Sequence, residues 1–164
     1  MRRKILMIRH ALSEVNNFDN VGAPVRGAEN APLARQGRLQ AAQLGDKLKN
    51  VYGMDVTRTP AAVSEFLRTR QTAERSGFLI LEPYPVLNEF RADDWPKILA
   101  DLRSGNLPPE LKALAWDLLA NPPKEDIWFT HGVLMTAVCH ILGIKRDDGR
   151  IYPNFCEIIP ITIN

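Results

Sequence analysis

The pattern that most restricts this chain is a pair of short, unbroken apolar runs, Ile5-Leu6-Met7-Ile8 and Ile127-Trp128-Phe129, set among segments of helical period. A strand with one wet face alternates apolar and polar residues. A run without alternation suits a strand covered on both faces, as in a parallel sheet between helix layers. The intervening segments supply the helices. Gly37, Ala41, Leu44, Gly45 and Leu48 share one helical face within residues 35–50, and Phe66 to Ser76 reads as a helix stopped by Gly77. Leu111, Leu114, Ala115, Leu118 and Leu119 form an amphipathic stripe between Pro108-Pro109 and Pro122-Pro123. Proline is tolerated in a first helical turn and ends a helix behind it. Leu134, Ala137, Val138 and Ile141 repeat at helical spacing up to Gly143. Ala61-Ala62-Val63 behind Pro60 is a weaker strand candidate. The β-branched run from Phe155 to Ile163 reads as a final strand, with Pro160 placing it near an edge. Strand alternating with helix predicts an α/β three-layer sandwich, a mostly parallel central sheet flanked by helices.

Size and composition are consistent with that architecture and exclude several function classes. A chain of 164 residues with no repeat or linker is expected to be one domain, 1–164. The formal net charge of +2 provides no basic field for nucleic acid. Cys139 and Cys156 form no CxxC pair and no disulfide framework, which points to a reduced, cytoplasmic setting. The apolar run behind Arg2-Arg3-Lys4 stops at Arg9, too soon for a secretory segment, and Val133 to Ile144 is too short to span a bilayer. No nucleic-acid or membrane partner is expected, and oligomeric state is not encoded in any visible pattern.

The chemistry begins with placement. His10 follows the first apolar run through Arg9, and His131 follows the other through Thr130. In a parallel sheet both imidazoles emerge at the carboxyl ends of the strands, where ligands bind in such folds. Ala11 and Gly132 behind them are small, and Arg9 adds a planar fork of donors suited to phosphate or carboxylate. One histidine at a strand end is more often structural; two at equivalent ends, one beside an arginine, point to a site. His140 has no partner at metal-ligand spacing and reads as structural, so neither a metal nor a cofactor is expected. The stretch Glu14 to Leu33 is too long for a simple connector and reads as a functional loop, in which Arg26-Gly27 are candidates for choosing the substrate.

Five ordered strings extend this reading over nearly the whole chain. Arg9-His10-Ala11-Leu12-Ser13-Glu14-Val15-Asn16 resembles the RHGxTxxN signature of the histidine phosphatase superfamily, the phosphoglycerate mutase-like family. Pro32-Leu33 with Gly37 and Gln40-Ala41 is similar to its PLTxxGxxQA segment, and Ser64 to Ala73 to its SPLxRAxQTA segment. Leu87-Asn88-Glu89 resembles its L-x-E acid motif, and Thr130-His131-Gly132 its SHG motif. The resemblance implies that His10 attacks phosphorus and becomes a transient phosphohistidine. It implies that Arg9 and Arg68 grip the phosphoryl oxygens, with Asn16 a lesser contact and Gly132 lining the phosphate. His131 would bond the transferring group from the other side, and Glu89 would protonate the leaving oxygen and later help activate water. Arg70 is then a surface residue, and neither Ser13 nor Ser64 is a nucleophile.

Three departures bear on activity. Ala11 stands where the family has glycine, and its methyl group could crowd phosphate or restrict a backbone with positive φ. Glu65 replaces a proline and sets a negative charge near the site mouth. Past Glu89 the chain reads Phe90-Arg91-Ala92-Asp93-Asp94-Trp95-Pro96 in place of a glycine-rich stretch, so Asp93 or Asp94 is the substitute acid if that loop is displaced. The resemblance also implies a lid between Glu89 and His131; here the insertion, around residues 90–125, is short. A short lid implies an open site and favours hydrolysis over the mutase reaction, which must keep its intermediate from water. The expected activity is a metal-independent phosphatase that hydrolyses a phosphomonoester, small metabolite or phosphoprotein, through phosphohistidine. Phosphoglycerate mutase-type transfer and a phosphate-binding domain with weakened turnover are the alternatives.

Overall fold

The order of the sheet decides what stands beside what. A computed structural model describes residues 1–16 and 28–164, and the Arg26-Gly27 candidate lies outside them. Strands β1 (Arg3–Arg9), β2 (Pro60–Val63), β3 (Ile80–Pro83), β4 (Ile127–Thr130) and β5 (Ile158–Ile163) form one sheet in the order β3-β2-β4-β1-β5. All neighbours are parallel except β1 and β5. The helices are α1 (Arg35–Asn50), α2 (Leu67–Arg75), α3 (Trp95–Arg103), α4 (Pro109–Ala120) and α5 (Gly132–Ile141).

The two unbroken apolar runs pair directly with each other. Leu6 faces Ile127 and Arg9 faces Thr130. Every β4 residue is buried, and Ile5, Met7 and Ile8 of β1 have no exposed surface. One core gathers Met7, Trp128, Leu111, Leu118 and Leu134 on the side of α4 and α5. The other gathers Ile8, Leu44, Leu48, Phe78 and Phe129 on the side of α1 and α2. Helices therefore cover both faces of the sheet, the condition under which continuous apolar strands are stable.

Two elements have no counterpart in the sequence reading. β3 is an exposed edge whose Phe78-Leu79-Ile80-Leu81 run lies between Gly77, at φ 100°, and Pro83. Only Phe78 of that run is fully buried, so the strand carries no core-facing alternation to announce it. α3 begins at Trp95-Pro96, capped by Asp94, whose Oδ1 accepts the Lys97 N–H at 3.0 Å. The final strand begins later than its β-branched run. Phe155 to Glu157 form the turn ahead of β5, with Cys156 in the left-handed region at φ 59°. β5 occupies the sheet edge, where Pro160 costs no interior ladder bond. No helix among the described residues is long and apolar enough to cross a membrane.

Candidate functional site

Register alone brings the two histidines together. Arg9 and Thr130 are partners on adjacent parallel strands, so the next residue on each strand leaves the sheet at the same level. Parallel neighbours lie about 4.8 Å apart, and the His10 and His131 ring centroids are 5.1 Å apart. Both rings are buried, His10 at 2 % exposure and His131 at 0 %.

The tautomer of His10 follows from its neighbours. Nδ1 lies 2.7 Å from the Ala11 carbonyl, which only accepts, so Nδ1 carries the proton. Nε2 therefore presents its lone pair and accepts from Arg68 Nε–H at 3.2 Å. Burial pushes the His10 pKa well below the ordinary imidazole value, and the Arg68 and Arg9 charges push it further the same way. The ring is a neutral base with Nε2 outward.

Arg9 crosses between aromatic rings. Its Cζ sits 3.9 Å from the Phe155 ring centre and 4.7 Å from that of Tyr152, and Nη1 donates to the Pro153 carbonyl at 2.7 Å. Arg68 is the buried member of the Arg68-Thr69-Arg70 string, and Arg70 is exposed. Phe66 stacks beside both Arg68 and His131, with its ring 5.0 Å from each. Burial lowers both guanidinium pKa values, a cost that an anion between them would relieve.

His131 Nε2 lies 2.8 Å from Ser64 Oγ, which also lies 2.9 Å from Thr69 Oγ1 and accepts the Phe66 N–H. Ser64 is thus a buried positioning hydroxyl rather than a nucleophile. Its contact with His131 spans two strands and a helix cap, which local spacing does not reveal. Burial, followed by His10 and the two arginines, keeps His131 neutral as well. Among the described residues, His131 Nδ1 and Arg9 Nε are buried nitrogens with no hydrogen-bond partner. Buried polar atoms are seldom left unsatisfied except where a ligand completes them.

Glu89 closes the arrangement at the start of α5. Its Oε2 accepts the Val133 N–H and its Oε1 accepts those of Leu134 and Phe90, at 3.0–3.1 Å. The carboxylate thereby caps the N-terminus of α5, where the helix dipole favours negative charge. Burial nevertheless raises its pKa, opposed by those backbone bonds and by Arg68. Thr130 Oγ1 donates to the Leu87 carbonyl and holds the acid loop against β4. Asp94 is occupied as the α3 cap and Asp93 is exposed, so Glu89 is the carboxylate that the structure places here.

The smaller motif residues fix the loop after His10. Ala11 N–H donates to Thr72 Oγ1, Leu12 N–H to Gln40 Oε1 and Leu33 N–H to Gln71 Oε1. Ala11 does not have a positive φ, so the alanine carries no strain of the kind that glycine relieves. A side chain on Gly37 would lie 1.9 Å from the Leu12 carbonyl, and one on Gly132 would lie 2.5 Å from the Tyr152 ring. Gly132 therefore gives space to Tyr152, whose hydroxyl burial pushes up to about 12. Tyr152 and Phe155 line the site from a polar loop with no periodicity, and nothing in the sequence marks them. Asn16 bonds Ser13, accepting its hydroxyl at 2.6 Å, in a short 3-10 turn Glu14–Asn16. Glu65 and Asn88 exchange two hydrogen bonds, which moderates the glutamate charge at the mouth. His140 is exposed at the last turn of α5, beside a cleft of ≈ 340 Å³ that contains none of the catalytic candidates. No group of three or more His, Cys, Asp or Glu side chains suited to a metal occurs among the described residues.

Comparison with known proteins gives the same outline. The family model for the histidine phosphatase superfamily (branch 1) matches residues 5–127. Among solved structures, a candidate α-ribazole-5'-P phosphatase of Escherichia coli superposes with a TM-score of 0.65 at 18 % identity, covering 99 % of this chain and 91 % of that one. TTHB049 from Thermus thermophilus gives 0.62 at 21 %, covering 96 % and 92 %. A mycobacterial glucosyl-3-phosphoglycerate phosphatase gives 0.56 at 18 %, covering 99 % and 91 %. At these identities the likeness is one of fold. No curated protein matches by sequence.

Proposed function

The chain belongs to the histidine phosphatase superfamily, and from that membership we propose that it is a metal-independent phosphomonoesterase working through a phosphohistidine at His10. The observation that carries this reading is the pair of partnerless buried nitrogens, Arg9 Nε and His131 Nδ1, beside a His10 whose lone pair faces Arg68. A phosphoryl group is the ligand that would satisfy donors on both sides and present phosphorus to that lone pair. Phosphoryl transfer asks the protein chiefly for positioning and for charge on the equatorial oxygens. Two guanidinium groups and an imidazole N–H supply both.

His10 Nε2 forms a bond to phosphorus as the bond to the leaving oxygen breaks, and Glu89 gives that oxygen its proton. Water then attacks phosphorus while the Glu89 carboxylate takes a water proton. The N–P bond breaks, its electron pair returns to Nε2, and phosphate departs. Arg68 must exchange its bond to Nε2 for one to a phosphoryl oxygen when substrate enters. His131 serves as a donor through Nδ1 when Ser64 O–H donates to Nε2, so Ser64 sets the useful tautomer.

Hydrolysis is favoured over the alternatives by two features. Ala11 has both backbone groups engaged without positive φ, so backbone strain there does not argue for a domain that binds phosphate without turnover. Between Glu89 and β4 the chain adds α3 and α4, and α4 is taken up in covering the sheet through Leu111, Ala115 and Leu118, which leaves α3 and its approach as a modest cover for a mutase intermediate. The test is phosphate release from 4-nitrophenyl phosphate with and without EDTA. Equal rates with chelator, and loss in His10→Ala, are the expected results; dependence on added metal, or activity retained in His10→Ala, would contradict the reading.

A further inference from the structure

We infer that the leaving group of the substrate is a small, flat, uncharged aromatic or apolar moiety; this rests on the hydrolase reading of the same site. A cleft of ≈ 180 Å³ reaches the site at Arg68 and Glu89, which are among its lining residues. Phe66, Phe90 and Trp95 wall it, and the latter two pack their inner faces on the core beside α4 and α5. Glu89 must face the leaving oxygen to protonate it, so whatever that oxygen carries extends into this cleft.

Size and charge then narrow the occupant. An apolar cavity of about 150 Å³ accommodates one benzene ring, and a larger ring system would project past the rim. The charges that line the cleft are already committed. Arg68 serves the phosphoryl oxygens and Glu89 the leaving oxygen. At the rim, Arg91 donates to Glu29 at 2.6 Å. A second phosphate or a carboxylate on the leaving group would meet aromatic walls and, among the described lining residues, only Arg91 as a further cation, at the cost of its pair with Glu29 and with that carboxylate left facing the anion. Burying an unpaired charge there is costly. A flat apolar group instead stacks on the faces of Phe66, Phe90 and Trp95.

Steady-state kinetics with benzyl phosphate and glycerol phosphate test this, because both leave as alcohols and differ mainly in the ring. Benzyl phosphate should show the lower KM, and Trp95→Ala should raise that KM about three- to tenfold and the KM for glycerol phosphate by less, so that the preference between them shrinks. Trp95→Phe should keep the preference, which separates a lost wall from a disturbed α3. Equal KM values in the native protein, or 3-phosphoglycerate as the better substrate, would overturn the inference while leaving hydrolysis at His10 intact. Absence of turnover with every phosphate would overturn both.

Discussion

The floor of the site and its rim are built by different means. On the floor, His10 and His131 stand 5.1 Å apart because β1 and β4 are paired in register; Ser64 bonds His131, and Thr72 holds Ala11 behind His10. At the rim, Glu29 and Arg91 meet as an ion pair whose side chains are 40 % and 80 % exposed. The floor is defined by sheet register and burial, which tolerate little change without loss of the fold. The rim is held by surface contacts of small energy, which tolerate many substitutions. On the proposed reading, the chemistry is tied to topology, and the Glu29–Arg91 pair contributes little to it.

Substitutions at the two levels should differ by orders of magnitude. His10→Ala removes the proposed nucleophile and should lower kcat for 4-nitrophenyl phosphate by on the order of 10⁴–10⁶-fold, with unchanged far-UV circular dichroism. Glu89→Gln keeps the cap acceptor for one of the α5 N–H groups but removes the proton. It should lower kcat for benzyl phosphate by about 10²–10⁴-fold and affect 4-nitrophenyl phosphate much less, since that leaving group needs little protonation. A similar loss for both esters would remove Glu89 from the acid role. Because burial raises the Glu89 pKa, native activity on benzyl phosphate should fall as pH rises through that raised value, and the alkaline limb should vanish in Glu89→Gln.

The floor also predicts a pH dependence of stability. His10 and His131 are held neutral when folded, while the unfolded chain protonates each near pH 6.5. Below that pH the unfolded state binds more protons, so stability falls as pH drops, by up to about 1.4 kcal/mol per pH unit for each imidazole. Glu89, with its raised folded pKa, works in the opposite direction, and its contribution weakens folding as pH rises above the unfolded carboxyl value. Urea midpoints between pH 5 and 7 should rise with pH in the native protein and rise less steeply in His10→Ala. A flat profile in both would show that the rings are not held neutral.

At the rim the effects should be small. Glu29→Gln breaks an exposed pair worth about 0–1 kcal/mol and should leave the urea midpoint nearly unmoved and kcat within about twofold of native. A large loss there would erase the distinction between floor and rim.

Legibility in the sequence follows the same division. β1, β4 and the histidines that end them are readable because burial on both faces writes an unbroken apolar run, and register then supplies the juxtaposition. α4 is readable from its prolines and its stripe. β3 is not, because an exposed edge strand leaves no buried pattern, and α3 is masked by the polar string Arg91 to Asp94 that precedes it, despite its Asp94 cap. Tyr152, Phe155 and the Ser64–His131 bond escape because they join residues far apart in the chain through irregular backbone. The strings that resemble the family mark Glu89 and Gln71, but their bonds to Val133 and Leu33 are visible only in three dimensions.

The central claim is covalent, and so is its most direct measurement. The protein is mixed with ³²P-labelled 4-nitrophenyl phosphate, quenched in alkali during turnover and digested for peptide mapping. One acid-labile, alkali-stable phosphoryl group on the peptide containing His10, absent from His10→Ala, is the predicted result. Steady turnover with no label on that peptide, or label on a serine, would contradict the account.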